Sequence, residues 1–207
     1  MWSNTLGLSG YGQLLFLQLP MQIGMIVLAV VCAKKYCPGK SVAEALDLKK
    51  TEAFSYGKTI VRFFELLILI AVLNCLVYVI DQWLGLKLPE QSLVLAAQQG
   101  SPAVFIAIMI PAVFLAPISE ELLFRGALYR FFNSILSGWE ATVLSALIFA
   151  AIHWNLRFFL PLFAMGLVLQ AAYKESGSLR SCILIHMLNN LSTALLVMGY
   201  RALGKLF

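Results

Sequence analysis

The residues of this chain most able to do chemistry sit where charge is expensive. The run Pro117-Ile118-Ser119-Glu120-Glu121-Leu122-Leu123-Phe124-Arg125-Gly126 sets two adjacent carboxylates and an arginine inside a long apolar stretch. Ionisable side chains in such surroundings mark either a functional site or a structural pairing. The sequence predicts Ser119 as the cap of a helix whose first turn holds both acids, where free N–H groups and the positive end of the helix dipole favour them. Adjacent helical residues point about 100° apart, whereas Glu121 and Arg125 are i,i+4 neighbours. Glu121 is therefore expected to pair with Arg125. Glu120, which on this spacing cannot share one small site with Glu121, is left to face a polar cavity and act as a general base on water. The bland alternative is a salt-bridge cluster of all three at the cytoplasmic surface.

Two histidines complete the inventory, His153 and His186, and there are no others. Each reads as part of an apolar helical run. One such histidine is most simply an interhelical hydrogen-bonding residue, but two of two are harder to dismiss. Phe149 lies one turn before His153, and Ala150 and Ala151 between them let a neighbouring helix approach. His186 and Asn190 share a face by i,i+4 spacing, and an imidazole with a side-chain amide can donate hydrogen bonds to a developing oxyanion. Asn189 points elsewhere and reads as a packing residue.

The elements that must position these groups follow from composition. Of 207 residues, 61% are hydrophobic and 12% charged, against roughly 25% charged in an ordinary soluble domain. So much apolar side chain must face lipid, since soluble monomers avoid large exposed patches. Leu14 to Ala33 is long enough to cross a hydrocarbon core of about 30 Å, and the start Met1-Trp2-Ser3-Asn4 lacks the basic n-region of a secretory leader, so the segment is kept as structure. Further spans are expected near 60–80, 102–119, 141–156, 158–173 and 181–200. Residues 120–136 read as a separate amphipathic helix at or within the membrane. The expectation is an all-α polytopic transmembrane helix bundle of about six or seven membrane helices, because continuously apolar runs exclude an alternating β-barrel. One domain, 1–207, would comprise N-terminal helices and a basic loop in 1–100 and a motif-bearing core in 101–200.

Loop 34–58 carries Lys34, Lys35, Lys40, Lys49, Lys50 and Lys58 against Glu44, Asp47 and Glu52. The positive-inside rule puts it in the cytoplasm and the N-terminus outside, in a plasma (inner) membrane. The net charge of +5 suits anionic lipid headgroups rather than nucleic acid, for the lysines are juxtamembrane and lack interleaved aromatics. Cys32, Cys37, Cys75 and Cys182 form no CxxC pair, so no cysteine-based zinc site is implied. One difficulty is depth: Glu120 and His153 fall near the ends of their spans and His186 early in its own. They meet if 120–136 is tilted or re-entrant, or if His153 is reached along a short helix starting near Trp139.

Glu-Glu-x-x-x-Arg at 120–125, Phe-x-x-x-His at 149–153 and His-x-x-x-Asn at 186–190, in that order on separate helices, resemble the three motifs of the CPBP family, which comprises type 2 CAAX prenyl endopeptidases and bacteriocin-processing and immunity proteins. The resemblance spans about 100–200 and includes the Phe-Arg-Gly continuation at 124–126. It implies an intramembrane endopeptidase acting on a peptide or membrane-anchored protein, with Glu120 and His153 activating water, His186 and Asn190 stabilising the oxyanion, and Glu121, Arg125 and Phe149 in support. No cofactor is required on that reading. The alternative is zinc held by Glu120, His153 and His186 with an open fourth position, though the HExxH spacing is absent. Two other classes compete: a non-catalytic immunity or scaffold protein of the same fold, and a proton-coupled transporter, for which internal repeats around broken helices are wanting.

Overall fold

The structure, a computed structural model, describes residues 10–203, with the side chains of 10–17 and Leu93 excepted. The reading of the first few residues as other than a leader lies outside them. Among the described residues there are helices and no strands. In chain order these are α1 (Gly10–Tyr36), α2 (Val42–Ala45), α3 (Tyr56–Leu84), α4 (Ser92–Gln99), α5 (Pro102–Asn133), α6 (Gly138–Ala151), α7 (Leu156–Ser176) and α8 (Leu179–Leu203). Their ends are written in the local sequence. Ser55 and Ser101 accept the N–H groups of Lys58 and Val104, and Asn155 accepts those of Arg157 and Phe158. Ser137 and Glu140 form a reciprocal capping box, which satisfies donors that a helix start leaves free. Gly85 and Gly177 terminate α3 and α7 in the left-handed conformation, φ 63° and 61°, where a Cβ would be strained.

Five of these helices, α1, α3, α5, α7 and α8, are long and apolar enough to cross a membrane, and α6 is a shorter apolar helix of 14 residues. The chain is thus a polytopic helical bundle. Residues such as Val27 and Val31 on α1, Ile68 and Val72 on α3, and Leu195 and Leu196 on α8 point outward, as lipid requires. Leu66, Phe124, Phe149, Met165, Leu169, Leu179 and Ile185 fill the centre. Gly166 of α7 lets α6 approach so closely that a Cβ built there would lie 2.8 Å from the Ala146 Cβ. Small residues at such crossings replace the hydrophobic drive that lipid does not supply.

One end of the bundle is knitted by the loop after α1. Leu179 N–H donates to the Asp47 carbonyl at 3.0 Å, Ser178 Oγ to that of Lys49 at 2.8 Å, and Arg180 Nε to that of Leu48 at 2.6 Å. The other end is held by Asn155, which donates to the Pro89 carbonyl at 3.3 Å, and by Arg157, which lies 3.3 Å from Glu90 and 3.7 Å from Asp81.

Three sequence expectations are corrected here. The spans drawn at 102–119 and 120–136 are one continuous helix, α5, which absorbs two prolines by widening rather than breaking. Its turns at Pro111–Leu115 and Leu122–Leu128 are π-helical, bracketing an α-helical Ala116–Glu121. Ser119 therefore caps nothing. It lies inside the helix, its Oγ donating to the Ala116 carbonyl at 2.9 Å. Finally, the helix drawn at 141–156 ends at Ala151, so His153 lies in the turn between α6 and α7 and not in a helical run. The short helix α6 does start near Trp139, at Gly138, but His153 lies beyond its last residue, Ala151.

Candidate active site

The site is assembled on α5 between its two wide turns. Glu121 is fully buried, with 0% side-chain exposure, and Arg125 is at 1%. Arg125 donates to Glu121 Oε1 at 2.9 Å and, through its other terminal nitrogen, to the Gly166 carbonyl of α7 at 2.9 Å. The i,i+4 pair expected from spacing is present, and it also ties α5 to α7. Its guanidinium carbon stands 4.9 Å from the centre of the Phe149 ring, a cation–π contact that an aromatic face favours in a desolvated place.

His186 of α8 lies between the two glutamates. Its Nδ1 is 2.8 Å from Glu121 Oε1, and its Nε2 is 3.8 Å from Glu120 Oε2. Spacing alone predicts that the two carboxylates cannot share a site. They do so because the imidazole enters between them and presents a different nitrogen to each. Glu121 as a carboxylate only accepts, so Nδ1 carries a hydrogen, and the ring plane of His186 is fixed from one side. Glu120 Oε2 is buried without a hydrogen-bond partner. At 3.8 Å from Nε2, the separation is too long for a direct hydrogen bond.

Phe149, fully buried, joins the two histidines. Its ring meets that of His153 edge-on at 5.1 Å between centres and that of His186 at 6.0 Å, with Phe124 at 5.2 Å. His153 Nδ1 is 2.8 Å from the Phe149 carbonyl; a carbonyl accepts only, so Nδ1 carries the hydrogen and Nε2 is left as an acceptor. Trp154, the next residue, is 94% exposed and adopts a left-handed φ of 49°, which turns the chain sharply after His153. Asn190 donates from Nδ2 to the Ala112 carbonyl of α5 at 2.8 Å, and Asn189 donates to Asn190 Oδ1 at 3.3 Å.

Glu120, Glu121, Arg125, Phe149 and His186 thus form one contact cluster, joined by His153 through Phe149, while Asn190 reaches α5 two turns before Glu120. Glu120 and His153 make no hydrogen bond or ion pair with each other. Nor are Glu120, His153 and His186 brought together as a set: among the described residues no three His, Cys, Asp or Glu side chains are placed to hold one ion.

A buried carboxylate–imidazole pair beside a second carboxylate, inside a helical membrane bundle, is an arrangement able to do acid–base chemistry. Residues 102–192 match the model of the type II CAAX prenyl endopeptidase Rce1-like family, a family of proteases. The matched segment, a little under half of the chain, contains every motif residue from Glu120 to Asn190, and so supports the resemblance read from the three motifs. An uncharacterized 24.3 kDa protein of Escherichia coli is 33% identical over 110 residues, 50% of this chain and 50% of that protein. The UPF0177 protein YbdI of Lactococcus lactis subsp. lactis (strain IL1403) is 34% identical over 89 residues, 41% of this chain and 45% of its own length. The chain spans about half the length of the curated relatives it matches. No solved structure matches it.

Sequence reasoning missed Gly166, whose carbonyl receives Arg125, and the joint at Pro111 and Pro117. Both leave signals: a glycine within an apolar helix usually has a packing reason, and two prolines within one span mark a place where the hydrogen-bond ladder must change.

Proposed function

We propose that this chain is an intramembrane endopeptidase in which water held between Glu120 and His186 attacks the peptide carbonyl of a membrane-anchored or membrane-adjacent substrate. The observation that carries the reading is the buried, unpartnered Oε2 of Glu120 facing His186 Nε2 at 3.8 Å, while Glu121 holds the opposite nitrogen at 2.8 Å. Glu120 accepts a proton from the water as its oxygen bonds to the carbonyl carbon, and His153, with Nε2 left as an acceptor, helps orient that water. Negative charge then develops on the carbonyl oxygen. His186, its Nδ1–H held by Glu121 and a second proton carried on Nε2, stabilises it by donating from Nε2. When the C–N bond breaks, the proton taken by Glu120 passes to the leaving amine, which restores the carboxylate. No step needs a metal.

The basic loop 34–58 lies at the end of the bundle where α1 finishes and α7 meets α8, and on the positive-inside rule that end faces the cytoplasm, with the N-terminus outside and the surrounding membrane a plasma membrane. The family match supports the protease class, and the lipid-facing helices support a substrate presented from the membrane or its surface.

The test is hydrolysis of a membrane-anchored peptide by the purified chain in lipid vesicles, compared with Glu120→Gln. Cleavage is expected to fall by about 100-fold or more, as for loss of a general base. Equal cleavage by both would remove Glu120 from the chemistry. Peptide binding without cleavage by the unaltered chain would favour a non-catalytic member of the same fold.

A further inference from the structure

Asn190 makes a contact that the oxyanion role does not explain. In α5 the N–H of Ala116 donates to the carbonyl of Pro111, five residues back, closing the wide turn. The next carbonyl, that of Ala112, would take the N–H of residue 116 in an α-helix or of residue 117 in a π-helix. The first is already aimed at Pro111, and the second does not exist because residue 117 is proline. The Ala112 carbonyl is thus orphaned inside a membrane bundle, where an unsatisfied backbone group costs several kcal/mol. Asn190 Nδ2 meets it at 2.8 Å.

We infer that Asn190 is a positioning residue for Glu120: its amide replaces the N–H that Pro117 lacks and so holds the wide turn that sets the rotation of Glu120 against His186. The inference rests on the reading of Glu120 as the water-activating base. A π turn inserts one extra residue into the ladder, and one residue corresponds to about 100° of helical rotation. If Pro111–Leu115 relaxed to α-helical geometry, Ala116–Glu121 would turn by that amount, and Glu120 would leave Nε2 of His186. The same helix α8 carries His186 one turn before Asn190, so one rigid element both presents the imidazole and locks the register of the helix it must meet.

Proline at 117 creates the need for Asn190, and this makes the proposal testable by a double-mutant cycle. Pro117→Ala restores an N–H that, in the register set by the Ala116–Pro111 bond, falls on the Ala112 carbonyl. Asn190→Ala alone is expected to lower thermal stability and to lower kcat by about 100-fold with little change in KM, the scale of a 1 Å misplacement. In the Pro117→Ala background the same substitution should cost far less on both measures. A readout free of activity is available because the chain has two histidines in all. With 15N-labelled histidine, the ring nitrogens of His186 should shift in Asn190→Ala and return in the double variant, while those of His153 stay constant.

An equal kcat loss from Asn190→Ala in both backgrounds would mean that Asn190 contacts the reacting oxygen directly and would overturn the proposal. So would coupling in stability with unmoved His186 nitrogens, which would reduce Asn190 to a structural tie. If the unaltered chain cleaves nothing, the enzyme reading fails, yet the stability and 15N cycles still decide whether Asn190 sets Glu120 against His186.

Discussion

Glu121→Gln separates the two duties that the structure gives this residue. Glu121 Oε1 accepts from Arg125 at 2.9 Å and from His186 Nδ1 at 2.8 Å, with no exposed surface on the side chain. Glutamine keeps the shape and one acceptor oxygen but removes the charge, leaving the Arg125 guanidinium buried without a counter-ion. Breaking a buried pair by removing one partner costs about 3–5 kcal/mol. The retained amide oxygen places this variant near the lower end, about 3 kcal/mol, because one neutral hydrogen bond survives. In a chain of this size each kcal/mol moves the midpoint by roughly 2–4 °C, so a fall of about 6–12 °C is expected. Activity should fall further than stability explains. An amide beside Nδ1 can offer N–H instead of oxygen and support the wrong tautomer, and in the serine-protease triad the corresponding change lowers kcat about 10⁴-fold with geometry intact.

The double variant Glu121→Gln/Arg125→Met then distinguishes the duties. With both charges gone much of the stability should return, since no guanidinium is then left buried without a counter-ion. Activity should not return, because His186 still lacks its carboxylate. The assays are thermal unfolding in detergent micelles and cleavage of a membrane-anchored peptide. Wild-type turnover by the double variant would refute the orienting role and leave Glu121 only as the counter-ion of Arg125. An unchanged midpoint in the single variant would refute the structural role.

Glu120→Gln, in contrast, should unfold at or above the wild-type midpoint, because it removes a buried carboxylate oxygen that has no partner; a large loss of stability would show that Glu120 is a structural ion pair. Gly166→Ala should destabilise by about 1–3 kcal/mol, since its Cβ would lie 2.8 Å from that of Ala146, and Ala146→Gly in the same chain should relieve it; additive effects in thermal unfolding would contradict the close approach. Phe149→Leu should cost about 1–3 kcal/mol and shift the 15N signals of both histidines, because the ring touches both imidazoles; a shift of only one would break the proposed link. Outside the membrane, Glu44 is held down to about 2 by Lys49 and then Ser41. A lowered carboxyl contributes stability above its ordinary value of 4.5 and loses it as pH falls toward 2, so a Glu44 carboxyl NMR titration centred near 4.5 would contradict the capping box at α2.

The membrane class was legible because composition reports it directly: lipid-facing helices need apolar side chains on every face. The Glu121–Arg125 pair was legible because i,i+4 neighbours meet whether or not anything else is known. The position of His153 was not, since periodicity cannot distinguish the last turn of an apolar helix from the turn after it; the reversal at Trp154 is a backbone event with no marking glycine. The continuity of α5 was hidden for a related reason. Pro111 and Pro117 ordinarily argue for a break, and only the packed structure reveals that the ladder widens instead and that a side chain from α8 supplies the missing donor. His186 standing between two carboxylates was equally out of reach, because spacing along one helix fixes directions and says nothing of what a neighbouring helix inserts between them.

That insertion bears on how acid–base chemistry can run in so dry a place. Two carboxylates and one guanidinium leave one negative charge over, and an unpaired charge away from water is expensive. His186 is the group that can hold the compensating proton, with Nδ1 toward Glu121 and Nε2 toward Glu120. On the proposed reading, a proton taken by Glu120 from water is matched by the negative charge appearing on the carbonyl oxygen beside His186. The sum of charge in the cluster and its bound peptide does not change between water, intermediate and amine. A low-dielectric site penalises net charge far more than its internal rearrangement. The same bundle that makes ionisable residues costly therefore favours a mechanism in which charge only moves among them, provided that Arg125 and Glu121 stay fixed as the neutral frame around it.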